Sequence, residues 1–258
     1  MTTYPFTRAL VTGASSGIGE AIARELGAAG IPLVVVARRA ERLAELARAY
    51  PGTEVIACDL QTREGRALVE ARLASPDNPV DLLVNNAGFG TSGDFASVDP
   101  DRSEDEISLN VVALTRLTRA VLPRLIADRR GWVLNVSSVV AFQPAPFLNV
   151  YAGTKAYVQS FSEGLHEELR KSGVVITSLC PGLTKTEFQS VSNTEQYAKQ
   201  YPAMAWLSAE RVARDGLADC VRGRAVSVPG AQYKGMVALV GVTPRRLLRR
   251  LSGLVQRQ

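Results

Sequence analysis

Apolar runs and helical periods alternate along most of the chain. Ala9-Leu10-Val11 is followed by a helical pattern through Ala21-Ile22-Ala23-Arg24-Glu25-Leu26. Ile31-Pro32-Leu33-Val34-Val35-Val36-Ala37 precedes a helix from Ala40 to Tyr50, and Glu54-Val55-Ile56-Ala57-Cys58 precedes one from Arg63 to Ser75. Val80-Asp81-Leu82-Leu83-Val84 leads to a long helical region, about Ser103 to Asp128 with Asn110 inside it. Gly131 to Val136 leads to a helix from Asn149, read as its N-cap, to Ser172. Val174 to Leu179, a helix from Ala209 to Val221 capped by Ser208, and a last short strand from Arg224 to Val228 complete the series. Short runs that are apolar throughout, rather than alternating, belong to strands buried on both faces. Alternated with helices at this spacing, they predict right-handed crossovers and one doubly wound α/β sheet, mainly seven-stranded and parallel, with helices on both faces. No linker, low-complexity tract or repeat divides the pattern, so 1–258 is read as a single domain.

The first strand runs directly into Thr12-Gly13-Ala14-Ser15-Ser16-Gly17-Ile18-Gly19 and then a helix, the context in which such glycines carry meaning. Gly13 permits the tight turn, Gly17 lets a phosphate approach the backbone, and Gly19 allows close packing of helix on strand. The helix N-terminus offers unpaired N–H groups to a pyrophosphate. The spacing is Gly-x-x-x-Gly-x-Gly, not the generic Gly-x-Gly-x-x-Gly, and a turn built for steric reasons alone is the competing reading. In a Rossmann-type dinucleotide fold the residue past the second strand meets the adenosine ribose, an acid binding a free 2′-hydroxyl and a base a 2′-phosphate. Ala37-Arg38-Arg39 stands there, which argues for NADP(H) over NAD(H), because a guanidinium pairs with phosphate through charge-assisted bonds. The alternative is two exposed arginines at a helix start.

Tyr151 and Lys155 lie four residues apart on one helix, so phenol and ammonium share a face, with Ser137-Ser138 a little upstream. A nearby cation favours tyrosinate and brings a phenol of ordinary pKa near ~10 closer to working range. A serine hydroxyl aimed at the same point can hold a carbonyl or alcohol oxygen. Taken alone, Tyr-x-x-x-Lys is also a common chance match on an amphipathic helix.

Composition narrows the rest. The formal charge of +5 is almost wholly arginine, and no basic tract interleaved with aromatics appears in the first 240 residues, so nucleic-acid binding lacks support. Cys58, Cys180 and Cys220 are isolated and odd in number, and read as reduced residues of a cytosolic protein. The segment Met1 to Thr7 lacks the features of a signal peptide, and no apolar run approaches the ~18 residues of a membrane span. His166 is the only histidine, with no Cys or carboxylate cluster around it, so neither a metal site nor a histidine-based triad is expected. From Leu183 to Leu207 the periodicity degrades. Thr184, Thr186 and Asn193 mix there with Phe188, Tyr197, Tyr201, Met204 and Trp206, giving either a mobile flap over an apolar substrate or a packed surface excursion. The basic C-terminal extension, 234–258, holds leucines on one helical face and arginines on the other between Pro244 and Leu254. A solvated helix is its plainer reading, peripheral membrane or partner contact the other.

With the glycine turn, Asn85-Asn86-Ala87-Gly88 and Tyr151-x-x-x-Lys155 in this order on strand, strand and helix, the sequence resembles the short-chain dehydrogenase/reductase family over about residues 7 to 230. The resemblance implies an NADP(H)-dependent oxidoreductase acting between a carbonyl and a secondary alcohol. Tyr151 would be its general acid/base and Ser138 would polarise the substrate oxygen. Lys155 would hold the nicotinamide ribose and lower the Tyr151 pKa, and Asn110 would anchor a proton-relay water. Cofactor contacts are implied at Gly13, Ser15, Ser16, Gly17, Ile18, Gly19, Arg38, Arg39, Asp59 and Leu60, at Asn86, Ala87 and Gly88, and at Tyr151, Lys155, Pro181, Gly182, Thr184 and Thr186.

Two positions depart from the family pattern. Ser16 stands where NADP-preferring members often carry a second basic residue, and Gly153-Thr154 replaces the more frequent Ala-Ser, with neither side chain assigned a role in proton transfer. Pro181 to Phe188, with the basic tail, looks most like the subgroup that reduces long-chain and other lipophilic carbonyls. The family's habit of pairing the Asn110 and Tyr151 helices across a two-fold axis implies a homodimer or homotetramer. The rival of another class is a non-catalytic NADP(H)-binding sensor or scaffold, which has no need of Asn110, Ser138, Tyr151 and Lys155 together. An isomerase or dehydratase using NADP(H) transiently is a further alternative.

Overall fold

The computed structural model describes residues 3–194 and 201–255. Its elements are β1 (Ala9–Thr12), α1 (Gly17–Ala28), β2 (Leu33–Ala37), α2 (Ala40–Ala49), β3 (Glu54–Ala57), α3 (Arg63–Ala74), β4 (Leu82–Asn85) and α4 (Pro100–Ile107). A π-helical turn (Ser108–Ala113) continues without a break into α5 (Leu114–Ala127). Then come β5 (Gly131–Val136), α6 (Asn149–Glu168), β6 (Val174–Leu179), β7 (Thr184–Lys185), α7 (Phe188–Val191), β8 (Leu207–Ser208), α8 (Ala209–Val221), β9 (Val226–Ser227), α9 (Ala231–Val242) and α10 (Arg245–Val255).

Seven strands pair in parallel in the order β3-β2-β1-β4-β5-β6-β9, as the sequence pattern predicts. The apolar runs are buried on both faces because each face is covered. Ile22 and Leu26 of α1, Leu43 of α2 and Val212 and Leu217 of α8 pack on Val11, Val35 and Val84. Val69 and Leu73 of α3, Leu117, Val121 and Leu125 of α5 and Leu165 of α6 pack on Leu10, Val34 and Leu83. Successive residues of one strand thus feed opposite cores. The chain starts at the centre of the sheet, works outward to β3 and crosses back to β4. The carboxyl ends of β1 and β4 therefore flank the point where strand order reverses, where open α/β sheets bind ligands.

Several strand ends fall inside the expected limits, each for a local reason. Asp81 does not enter β4, because its carboxylate accepts from the N–H groups of Thr7 and Arg8. Pro32 precedes β2 and contributes only its carbonyl, to Ala9 N–H. β9 shortens to Val226–Ser227. Ser208 caps α8 as expected, accepting from Arg211 N–H at 3.2 Å, whereas Asn149 is not a cap: Leu148 holds that position and Asn149 is already helical. The helix expected from 103 to 128 is interrupted by the π turn, which carries Asn110.

A buried polar chain pins α6 to the sheet. Asn85 of β4 donates to Thr118 of α5 (3.0 Å) and to Asn135 of β5 (2.9 Å), and Asn135 donates to Ser162 of α6 (3.0 Å). Leaving one such group unpaired costs about 1–3 kcal/mol, so these bonds fix how α6 lies on the strands.

Candidate active site

Above the switch point the chain forms a half-open cavity of about 1050 Å³. One half is built on the glycine turn. Gly13 (φ +65°) and Gly17 (φ +60°) are left-handed, and a Cβ on Gly13 would lie 2.6 Å from Asn86 Nδ2 and 2.9 Å from Ala87 Cα. Asn86 draws the turn this close: its amide donates to Thr12 O (2.9 Å) and Gly13 O (3.3 Å), and the N–H groups of Asn86 and Ala87 both donate to the buried Thr12 hydroxyl at 3.0 Å. The glycines here serve close approach in a locked turn. Ser16 stands at the cap position of α1 without a side-chain hydrogen bond to it, so the first-turn N–H groups remain for an anion.

The two arginines after β2 differ. Arg39 donates to Ser15 Oγ (3.1 and 3.2 Å) and pairs with Glu187 at 2.8 Å, tying the glycine turn to the start of the 183–207 segment. The Arg38 side chain is 68% exposed and, among the described residues, pairs with Asp59 alone, at 3.8 Å. Arg38 is thus the guanidinium left to engage a phosphate, and Arg39 holds the turn that receives one. A cradle of left-handed glycines, an open helix N-terminus and a largely exposed guanidinium suits a dinucleotide carrying a 2′-phosphate.

The other half sits on β5 and α6. Ser138, just past β5, caps a short 3-10 turn by accepting from Val140 N–H at 3.2 Å, and its hydroxyl stands beside the Tyr151 phenol. The Tyr151 ring packs on Phe188 with centroids 5.4 Å apart. Lys155 is buried. Its ammonium donates to Val136 O (2.8 Å) and lies 5.7 Å from the centroid of the Tyr151 ring, while Ser137 Oγ donates to Lys155 O (2.8 Å). Burial governs the charges. It raises the Tyr151 phenol well above its ordinary value, against the opposing pull of Ser138, and lowers Lys155 from 10.5 to about 8. The expected lowering of Tyr151 by Lys155 is not seen: burial dominates, the Ser138 hydrogen bond opposes it, and Tyr151 is held as the neutral phenol.

Comparison with known proteins gives this arrangement a family. The family model for short chain dehydrogenases matches residues 7–197. Serine 3-dehydrogenase of Rhizobium radiobacter is 37% identical over 212 residues, 79% of this chain and 84% of that one. Very-long-chain 3-oxoacyl-CoA reductase-B of Danio rerio is 34% identical over 192 residues, 71% of this chain and 61% of that longer protein. A solved short-chain dehydrogenase from Sphingobium yanoikuyae, in complex with NADPH, superposes with a TM-score of 0.81 at 31% identity, covering 92% of this chain and 96% of that one. The chain belongs to the short-chain dehydrogenase family.

Within this short-chain dehydrogenase nearly all the site residues expected from the sequence line the one cavity: Ser138, Tyr151 and Lys155, the glycine turn from Ser15 to Ile18, Arg38, Arg39, Asp59, Leu60, Asn86 to Gly88, and Pro181, Gly182, Thr184 and Thr186. Gly19 and Asn110 lie behind the wall. A Cβ on Gly19 would stand 2.4 Å from Gly13 O, so it serves packing. Asn110 is 1% exposed and its carboxamide is committed, donating to Phe89 O (2.8 Å) and Thr154 Oγ1 (3.1 Å) and accepting from Phe89 N–H (3.1 Å). Thr154, given no part from the sequence, therefore joins α6 to the Asn110 turn, and it also donates to Tyr151 O at 2.8 Å.

Of the 183–207 segment, Tyr197 lies outside the described residues. Both ends of the segment are fastened: Tyr233 of α9 accepts from Leu183 N–H (2.9 Å) and donates to Ala205 O (2.8 Å), and β7 pairs with β8.

Glu106 is the residue that sequence reasoning missed. It is fully buried in α4, one turn before Asn110, and faces the Thr91 hydroxyl and N–H, which favour its charge, although neither carboxylate oxygen closes a well-formed hydrogen bond among the described residues. Burial raises its pKa from 4.5 to about 7, while Thr91, Lys155 and Arg102 pull the other way. Its charge in turn raises Lys155 and Tyr151. Its place in the run Glu104-Asp105-Glu106 gives it the look of a solvated helix start, and only its spacing from Asn110 distinguishes it.

Proposed function

We propose that this dehydrogenase is an NADP(H)-dependent oxidoreductase acting on a lipophilic ketone, aldehyde or secondary alcohol, working as one domain over 1–258. One observation carries the reading: Ser138, Tyr151 and Lys155 face the same cavity as the glycine turn and Arg38. The NADPH in the related Sphingobium yanoikuyae structure supports the choice of cofactor. When bound, the nicotinamide supplies or accepts the hydride. Ser138 holds the substrate oxygen, and Tyr151, kept neutral by burial, gives that oxygen a proton as negative charge gathers on it. Lys155, with a pKa of about 8, is mostly protonated at neutral pH; one N–H is engaged by Val136 O, and the ammonium, facing the cavity beside Tyr151, would hold the nicotinamide ribose. Asn110 holds the Phe89 loop against this centre.

Val140, Leu148, Leu183, Phe188 and Met236 on the wall favour an apolar substrate over a small polar one. Among the relatives, the very-long-chain 3-oxoacyl-CoA reductase is named for such a substrate and the serine dehydrogenase for the opposite kind. The reading extends to a cytoplasmic homodimer or homotetramer. Three free cysteines support the compartment, and exposed Ile107, Val112 and Tyr157 on the Asn110 and Tyr151 helices support the assembly. The test is nicotinamide absorbance with NADPH against lipophilic ketones, aldehydes, 3-oxoacyl thioesters and oxidised serine analogues. Stoichiometric loss of NADPH with an apolar carbonyl is expected. Tight NADPH binding with no consumption across the panel would favour the sensor or scaffold instead.

A further inference from the structure

The two helices beyond the sheet hold a surface that the reaction does not use. α9 turns one face inward: Tyr233 is buried, and Gln232 and Met236 line the cavity. Its outer face is apolar and open, with Leu239 66% and Val242 80% exposed. α10 sharpens the contrast. At about 100° per residue, Leu247, Leu248 and Leu251 share an arc of about 100°, and Arg245, Arg246, Arg249 and Arg250 the opposite arc of about 140°. Leu247 and Leu251 are close to half exposed, the four arginines are exposed, and none of the four makes an ion pair among the described residues. Charge is concentrated here as well. Residues 231–258 carry six Lys+Arg and no Asp or Glu, so +6 of the chain's +5 lies in this segment and the rest stands at −1.

A solvated helix has no use for an apolar stripe, and a helix packed on a protein core would cover it. An open leucine stripe flanked by arginines fits a helix lying in the headgroup layer of an anionic bilayer, with the apolar side chains at the acyl boundary and the guanidinium groups at phosphate level. Among the described residues no helix is long and apolar enough to cross a membrane, so the contact is with the surface. We propose that α9 and α10 form a docking surface for a membrane of anionic phospholipid. Because the inner face of α9 is cavity wall, docking would set the cavity one helix diameter, about 10 Å, from the lipid. The proposal does not depend on the hydride reaction.

Sedimentation of the full chain with vesicles tests it. The protein is expected to stay in solution with phosphatidylcholine alone, to pellet with an equimolar mixture of phosphatidylcholine and phosphatidylglycerol, and to be released by added salt. Changing Arg245, Arg246, Arg249 and Arg250 together to glutamine should lower the partition coefficient on the order of a thousandfold. Leu247→Gln with Leu251→Gln should weaken binding even at low salt. Far-UV circular dichroism and NADPH oxidation of a water-soluble carbonyl should match the parent in both variants. Three results would overturn the proposal: no pelleting with anionic vesicles, equal pelleting with both compositions, or parent-like binding by the arginine variant. A parent that ignores vesicles but forms an oligomer dissociated by the leucine changes would assign the face to a second copy of the chain and equally refute membrane docking.

Discussion

Replacing Glu106 by glutamine isolates the electrostatic cost of a buried carboxylate behind Lys155. Burial raises the Glu106 pKa from 4.5 to about 7, so the folded state binds its proton more tightly than the unfolded chain does. Stability then falls as pH rises from about 4.5 to about 7 and is level above that. A shift of this size, at 1.36 kcal/mol per unit, makes the ionised carboxylate cost about 3 kcal/mol. For a chain of this length that corresponds to roughly 6–12 °C in Tm. Glutamine keeps the shape and cannot ionise, while the groups facing the site, Lys155 from α6, Arg102 from the same helix and the Thr91 hydroxyl, are unchanged. Thermal unfolding across this pH range should show the variant more stable than the parent near pH 8, with the two curves converging below about pH 5. Curves that stay parallel throughout would refute a buried carboxylate whose desolvation outweighs Thr91, Lys155 and Arg102. Loss of the Glu106 charge also removes an upward pull on Lys155 and Tyr151, so the corresponding ionisations in kcat/KM should move to lower pH.

Three further outcomes are expected. Tyr151→Phe keeps the ring on Phe188 and should lower turnover about 10²–10⁴-fold while NADPH affinity stays within a few-fold; an active variant would remove Tyr151 from proton transfer. Arg38→Asp should swing the ratio of kcat/KM for NADPH over NADH by at least about tenfold towards NADH, given ~1.5–3 kcal/mol for a hydrogen bond to a charged group; an unchanged ratio would move the preference elsewhere. Gly13→Ala must fit a Cβ 2.6 Å from Asn86 Nδ2 on a backbone at φ +65°, so chemical denaturation should register a loss of about 1–3 kcal/mol together with weaker NADPH binding, and a neutral result would show the turn to be slack.

The sheet was legible because its signal is redundant: each strand is an apolar run bounded by helical pattern, and an error of two residues at Pro32 or Asp81 leaves the topology intact. The glycine turn and the Tyr151–Lys155 pair were legible because residue type and order along the chain specify them. What stayed hidden depends on three-dimensional competition. Arg38 and Arg39 both follow β2, and only the positions of Ser15 and Glu187 show that the second is committed and the first left exposed. The direction of the Tyr151 shift turns on burial, which outweighs the Ser138 hydrogen bond and which no spacing reveals. The π turn has no compositional mark, since Ser108 to Ala113 reads as ordinary helix.

That turn has a consequence for how the chain tolerates length changes. An i→i+5 turn holds one more residue than a regular α turn, so the stretch from Pro100 to Ala127 amounts to a straight rod with a single supernumerary residue. Deleting any one residue between 108 and 113 would let the rod regularise at little cost in backbone bonds. Because the wide turn already absorbs that residue, α4 and α5 would keep their register and Glu106 its place near Lys155, and the shift would fall on the turn itself, moving Asn110 away from Phe89 and Thr154. A deletion that leaves both helices packed would thus loosen the Phe89 loop beside the site, and libraries built on single-residue indels would find the spot before substitution scanning did.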